Sequence, residues 1–165
     1  MPEPSFAATL AQRAVQLLYL GALAAWLGSV VGMGALALPA VFRRVPDRAT
    51  AAEVAGALLL RLTLLKLALI PVLAAAAVLR LALWDPLVWW VVVRYALLFL
   101  MTQVALAGVV VLAPALRWVQ EQAGRPVAAL PRADPLRRRF GRLHRWATGL
   151  LALEVALGLA VLFFD

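Results

Sequence analysis

Apolar residues come in four long blocks, separated by short polar breaks. The first block, Leu17 to Phe42, holds 26 residues without a charge, and a membrane-spanning helix needs about 20. Three further blocks follow, and together they predict helices over about 5–43, 51–83, 86–119 and 135–164. The expected fold is an all-α membrane protein: a four-transmembrane-helix antiparallel bundle with both termini on the same side, in a single transmembrane domain covering 1–165. Leu17–Phe42 is also rich in small residues. Ala24, Gly28 and Gly32 recur every four positions, beside a second row of Gly21, Ala25 and Ser29. Such rows share one helix face and permit close backbone approach, so Ala24, Gly28 and Gly32 are the expected helix-packing residues.

Polar punctuation refines the boundaries. The first helix is expected to begin near Ser5, and Pro39 should kink or loosen its last turns. The alternative of a cleaved leader, with Ala35-Leu36-Ala37 as cleavage site, fits poorly because the apolar region is too long and the leader has little basic charge. Thr50-Ala51-Ala52-Glu53 reads as a capping box for the second helix. Pro71 interrupts that helix mid-membrane, and a neighbour, water or a local distortion must satisfy the carbonyl it leaves unpaired. Asp85-Pro86 and Asp134-Pro135 each read as an N-cap followed by proline at the first helical position. Trp84, Trp89, Trp90 and Tyr95 gather at a membrane boundary.

Charge adds an orientation. The net charge is +8, and the basic residues are not spread evenly. Arg43, Arg44, Arg48, Arg61, Arg117, Arg125, Arg132, Arg137, Arg138, Arg139, Arg142 and Arg145 flank the first and third interhelical loops, whereas only Arg13, Arg80 and Arg94 flank the opposite side. The positive-inside rule then puts both loops in the cytoplasm and both termini outside. The same distribution argues against nucleic acid as a partner. With no cysteine and one histidine, thiolate chemistry, Cys-based zinc and bis-histidine haem within one chain are excluded. Nucleotide-binding loops, zinc-protease motifs and nucleophile elbows are absent. No catalytic residue, metal or cofactor is assigned, and the chain reads as a non-enzyme.

Polar residues inside the apolar blocks are the candidate site. Lys66 and Glu154 fall at matching depth on helices that start from the same side, and isolated charges there cost about 2.5–3.5 kcal/mol each. Three readings stay open: a proton- or ion-coupled or substrate-path site, a structural pair that sets helix register, or a Lys66 that snorkels to the cytoplasmic surface and leaves Glu154 protonated. Gln103, beside Thr102, joins them as a candidate polar residue or interhelical hydrogen-bonder. Arg94 is expected to snorkel to the outer headgroups. The basic start of the fourth helix, with Arg137, Arg138, Arg139, Arg142, His144 and Arg145, is expected to contact anionic lipid headgroups.

Trp26-Leu27-Gly28, Pro39-Ala40-Val41-Phe42, Val45-Pro46, Ala55-Gly56 and Phe140-Gly141-Arg142-Leu143-His144-Arg145 together resemble a bacterial four-helix membrane family of unknown function. That family shares a domain with a human transmembrane protein associated with platinum-drug resistance. A weaker similarity is to copper-resistance D membrane domains, which carry a first-helix histidine where this chain has Tyr19. Four-helix protoporphyrinogen oxidases also rely on a first-helix histidine that is missing here. The resemblance implies the four-helix architecture and an association with tolerance of toxic compounds, and no catalytic residues. Two functions follow as expectations: transport of, or tolerance to, a small molecule or metal species, with a homo-oligomer supplying enough interior; or a non-catalytic structural, assembly or lipid-binding subunit of a membrane complex.

Overall fold

The computed structural model describes residues 6–131 and 133–165; Ser5, as helix start, and Arg132 lie outside the described residues. Four helices dominate: α1 (Phe6–Arg44), α2 (Arg48–Leu83), α3 (Trp89–Ala123) and α4 (Pro135–Phe163). All four are long and apolar enough to cross a membrane, and the described residues contain no strand. The protein is an all-α, four-helix membrane protein. In the bundle α1 packs on α2 and α4, and α3 packs on α4, while α2 and α3 touch little beyond their connecting turn.

Two helices widen by one residue per turn just before a proline. Gly32–Ala37 of α1 and Gly108–Leu112 of α3 are π-helical, with Leu38 N bonded to Met33 O and Ala113 N to Gly108 O. Pro39 and Pro114 follow at once. A proline ring clashes with the carbonyl four residues back and leaves it without its donor, and in both cases that carbonyl lies inside the widened turn. Pro71, which faces outward, leaves α2 α-helical throughout.

The helix starts depart from the sequence reading in two places. Asp47, not Thr50, caps α2: its carboxylate accepts from Ala49 N and Thr50 N, and the Thr50 hydroxyl donates to it as well. A carboxylate accepting three bonds outcompetes a hydroxyl for this position, and these bonds hold the Asp47 carboxyl below the usual carboxylate range. Asp85 caps nothing. Helix α3 starts three residues later than Pro86, at Trp89, with Val88 at its N-cap, because the Asp85 carboxylate is drawn to Arg94 and Tyr95 instead. At α4, Asp134 accepts from Leu136 N, with Pro135 next in line.

The inward face of α1 is the stripe Tyr19, Leu23, Trp26 and Val30, all buried. The expected packing row is on the other side. Ala24 and Gly28 are exposed, Gly32 is half-buried, and a Cβ on Gly28 or Gly32 would meet nothing within 4 Å. Trp26 and Tyr19 need interior volume, and the Trp26 indole N–H finds a polar partner there, so their stripe turns inward and the small residues turn out. The close approach lies elsewhere: Leu27 packs onto Gly158 of α4. Helix association in lipid gains little from burying apolar surface and depends on such fits and on buried polar bonds.

Candidate functional site

Lys66 of α2 and Glu154 of α4 face each other across the bundle. Lys66 Nζ lies 3.0 Å from both Glu154 Oε1 and Oε2. The pair is buried, with Lys66 6% and Glu154 1% exposed. A third helix joins it: the Trp26 indole Nε1 donates to Glu154 Oε2 at 3.2 Å, and its ring lies 6.0 Å from Lys66 Nζ. Glu154 thus accepts three charge-assisted or indole bonds. With Lys66 engaged in this way, the snorkelling arrangement does not occur.

A small cavity of about 140 Å³ ends on this pair. Thr63 and Lys66 line it from α2, Gly108 and Val109 from the π-helical turn of α3, and Ala147 and Glu154 from α4. The extra residue in the α3 turn displaces its backbone beside the charges, and single π-turns recur at functional sites. The Thr63 hydroxyl is turned back to Leu59 O at 2.9 Å, so the walls are apolar apart from the pair. Larger hollows lie on the surface, and none shares a lining residue with this cavity.

A second polar cluster closes the end of the bundle at which the α2–α3 turn lies. Asp165 accepts from Arg80 Nη1 at 2.7 Å and Arg94 Nη1 at 3.2 Å. Asp85 accepts from Arg94 and from the Tyr95 hydroxyl, and lies 3.6 Å from Arg80 Nε. The Arg80 guanidinium stacks 4.7 Å over the Tyr19 ring, which brings in α1. Arg94 is 2% exposed: it is bound inside the bundle rather than snorkelling, because two carboxylates are within reach there. Tyr19 Oη and Arg94 Nε are buried without a hydrogen-bond partner. Leu23, Leu73 and Met101, all fully buried, occupy the turns between the two clusters and form an apolar layer.

The structure brings Lys66 and Glu154 together and leaves Gln103 out. Gln103 is exposed on α3 and does not line the cavity. Trp26 is the member that charge alone does not reveal; its place within Trp26-Leu27-Gly28 was the available signal. On α4 the basic residues divide. Arg137 donates to Leu130 O and Arg138 to Ala133 O, Arg139 stacks 4.6 Å over Trp118, and the His144 ring stacks on Phe140. Among the described residues no group of three or more His, Cys, Asp or Glu side chains is placed to hold a metal ion.

Residues 21–125 match the domain of unknown function DUF4149, and the chain belongs to that family. The match spans Trp26 and Lys66 and stops short of Glu154. No curated protein and no solved structure matches the chain.

Proposed function

We propose that this member of the DUF4149 family takes a small polar solute or ion into the bilayer interior at the Lys66–Glu154 pair, in proton-coupled transport of, or tolerance to, that species. The observation that carries the reading is the cavity ending on a buried ion pair. It offers a charge of each sign to something small, held by walls of low polarity where electrostatic interactions are strong. The apolar layer and the Arg80–Asp165 and Arg94–Asp85 bridges favour access from the arginine-rich loop side alone. Access restricted to one side suits a carrier that exposes its site alternately rather than an open channel. The resemblance to a family that shares a domain with a protein associated with platinum-drug resistance points the same way. In this reading the arginine-rich loops face the bacterial cytoplasm and the chain works as an oligomer.

The test uses the absence of cysteine. A single Thr63→Cys variant is expected to react with a membrane-impermeant maleimide added from the loop side and not from the other. Proteoliposomes with an entrapped pH dye are expected to show proton uptake that Glu154→Gln abolishes. A Thr63→Cys that is inert from both sides, together with no proton flux, would overturn the reading.

The second reading is a structural, assembly or lipid-binding subunit of a membrane complex. The outward row of Ala24 and Gly28 favours it, because open small-residue faces admit another helix. Co-purification of a membrane protein that Gly28→Leu releases, with no flux, would select it.

A further inference from the structure

We propose that Arg138, Arg142 and Arg145 bind the phosphate headgroup of an anionic phospholipid, whose acyl chain lies along the outer face of α4. These residues stand at i, i+4 and i+7, on one helix face. The structure separates them from the other basic residues of the segment. Arg137, Arg139 and His144 are committed to Leu130 O, Trp118 and Phe140. Arg142 and Arg145 are exposed and have no hydrogen bond or ion pair among the described residues. Arg138 gives one nitrogen to Ala133 O at 2.6 Å and keeps the rest of its five-donor fork.

The three side chains surround a hollow of about 780 Å³ lined also by Pro135 and Gly141. Gly141 keeps its floor open, since a Cβ there would meet nothing within 4 Å. Trp146, 68% exposed, stands beside Arg142 and Arg145, at the depth where indole rings prefer the membrane boundary. The same helix face continues through Gly149, Ala152 and Ala156, all small and exposed, and a Cβ on Gly149 also meets nothing within 4 Å. This shallow track runs from the arginines into the apolar span. A soluble phosphate would use the arginines alone; a phospholipid uses both.

The experiment is native mass spectrometry of the full chain released from nanodiscs of phosphatidylglycerol and phosphatidylcholine in equal amounts. The unmodified protein is expected to retain phosphatidylglycerol. Arg142→Gln with Arg145→Gln should reduce that preference roughly tenfold or more. Gly141→Leu should reduce it with no change in charge. Arg137→Gln with Arg139→Gln removes the same charge from committed side chains and should keep it. Unchanged melting temperatures of the exposed-site variants in detergent check that the bundle is intact. Equal loss in the two arginine pairs would mean diffuse attraction and overturn the site, as would no loss in Arg142→Gln with Arg145→Gln or in Gly141→Leu. Displacement of the bound lipid by inorganic phosphate would assign the arginines to a soluble anion instead.

Discussion

Leu27 and Gly158 meet where α1 crosses α4: a Cβ placed on Gly158 would lie 2.5 Å from Leu27 Cδ2 and 3.1 Å from Leu27 Cγ. One residue before Leu27, Trp26 reaches Glu154, four residues before Gly158. The two contacts are consecutive turns of one interface, and they join the packing of α1 to the ion pair.

A bulky side chain at Gly158 should therefore destabilise the bundle. Gly158→Leu overpacks the crossing and is expected to cost about 1–3 kcal/mol, read as a lower melting temperature in detergent. Gly28→Leu faces open space and should leave the isolated chain's melting temperature nearly unchanged. The reverse order would show that the crossing is built differently.

Lys66→Met or Glu154→Gln alone leaves a buried charge without its partner and is expected to cost about 3–5 kcal/mol. The double variant should recover much of that loss, giving a strong coupling in a double-mutant cycle of thermal stability in nanodiscs. Additive losses would contradict a direct pair. If the double variant recovers stability but loses proton flux, the pair is needed for function and not only for folding.

Arg94 is held by Asp85 and Asp165, so Asp85→Asn removes one of two countercharges from a buried cation. The expected loss is about 2 kcal/mol, below that of a fully broken buried pair. Arg94→Met should cost less than its contacts suggest if the apolar layer below accepts the apolar replacement. A melting temperature unaffected by Asp85→Asn would place the Arg94 charge in solvent.

Asp47 gives a pH signature. Its carboxyl is held below the usual value of 3.8 by Thr50 and Ala49. A depressed pKa in the folded state contributes stability that is complete above the unfolded value and is lost as pH falls through the folded one. Amide exchange at Ala49 and Thr50 should accelerate below about pH 4 relative to the α2 interior. Asp47→Asn keeps a capping acceptor and should abolish that acid-dependent step. An unchanged pH profile in Asp47→Asn would remove the carboxylate from the capping role.

Reporter fusions at Gly124 and Asp165 should report opposite sides of the membrane, with Gly124 in the cytoplasm. A cytoplasmic Asp165 would reverse the proposed orientation.

The four spans were legible from the chain because hydropathy and helix length are local properties, and a bilayer imposes them on each segment separately. The opposite charges of Lys66 and Glu154 at matching depth were legible for the same reason. Which face of α1 turns inward was not. Ala24, Gly28 and Gly32 have the pattern of a packing face, yet the volume and the indole N–H of Trp26 outweigh it once Glu154 is across the interface. Asp85 likewise has the sequence of a helix cap, and the approach of Arg94 and Tyr95 redirects its carboxylate. Gln103 has the polarity of a site residue and ends on the outside, since its position on α3 is fixed by Leu98, Met101 and Ala105 turning inward. In each case a local preference worth about 1 kcal/mol yields to partners brought together from other helices, and those partners exist only in the assembled bundle.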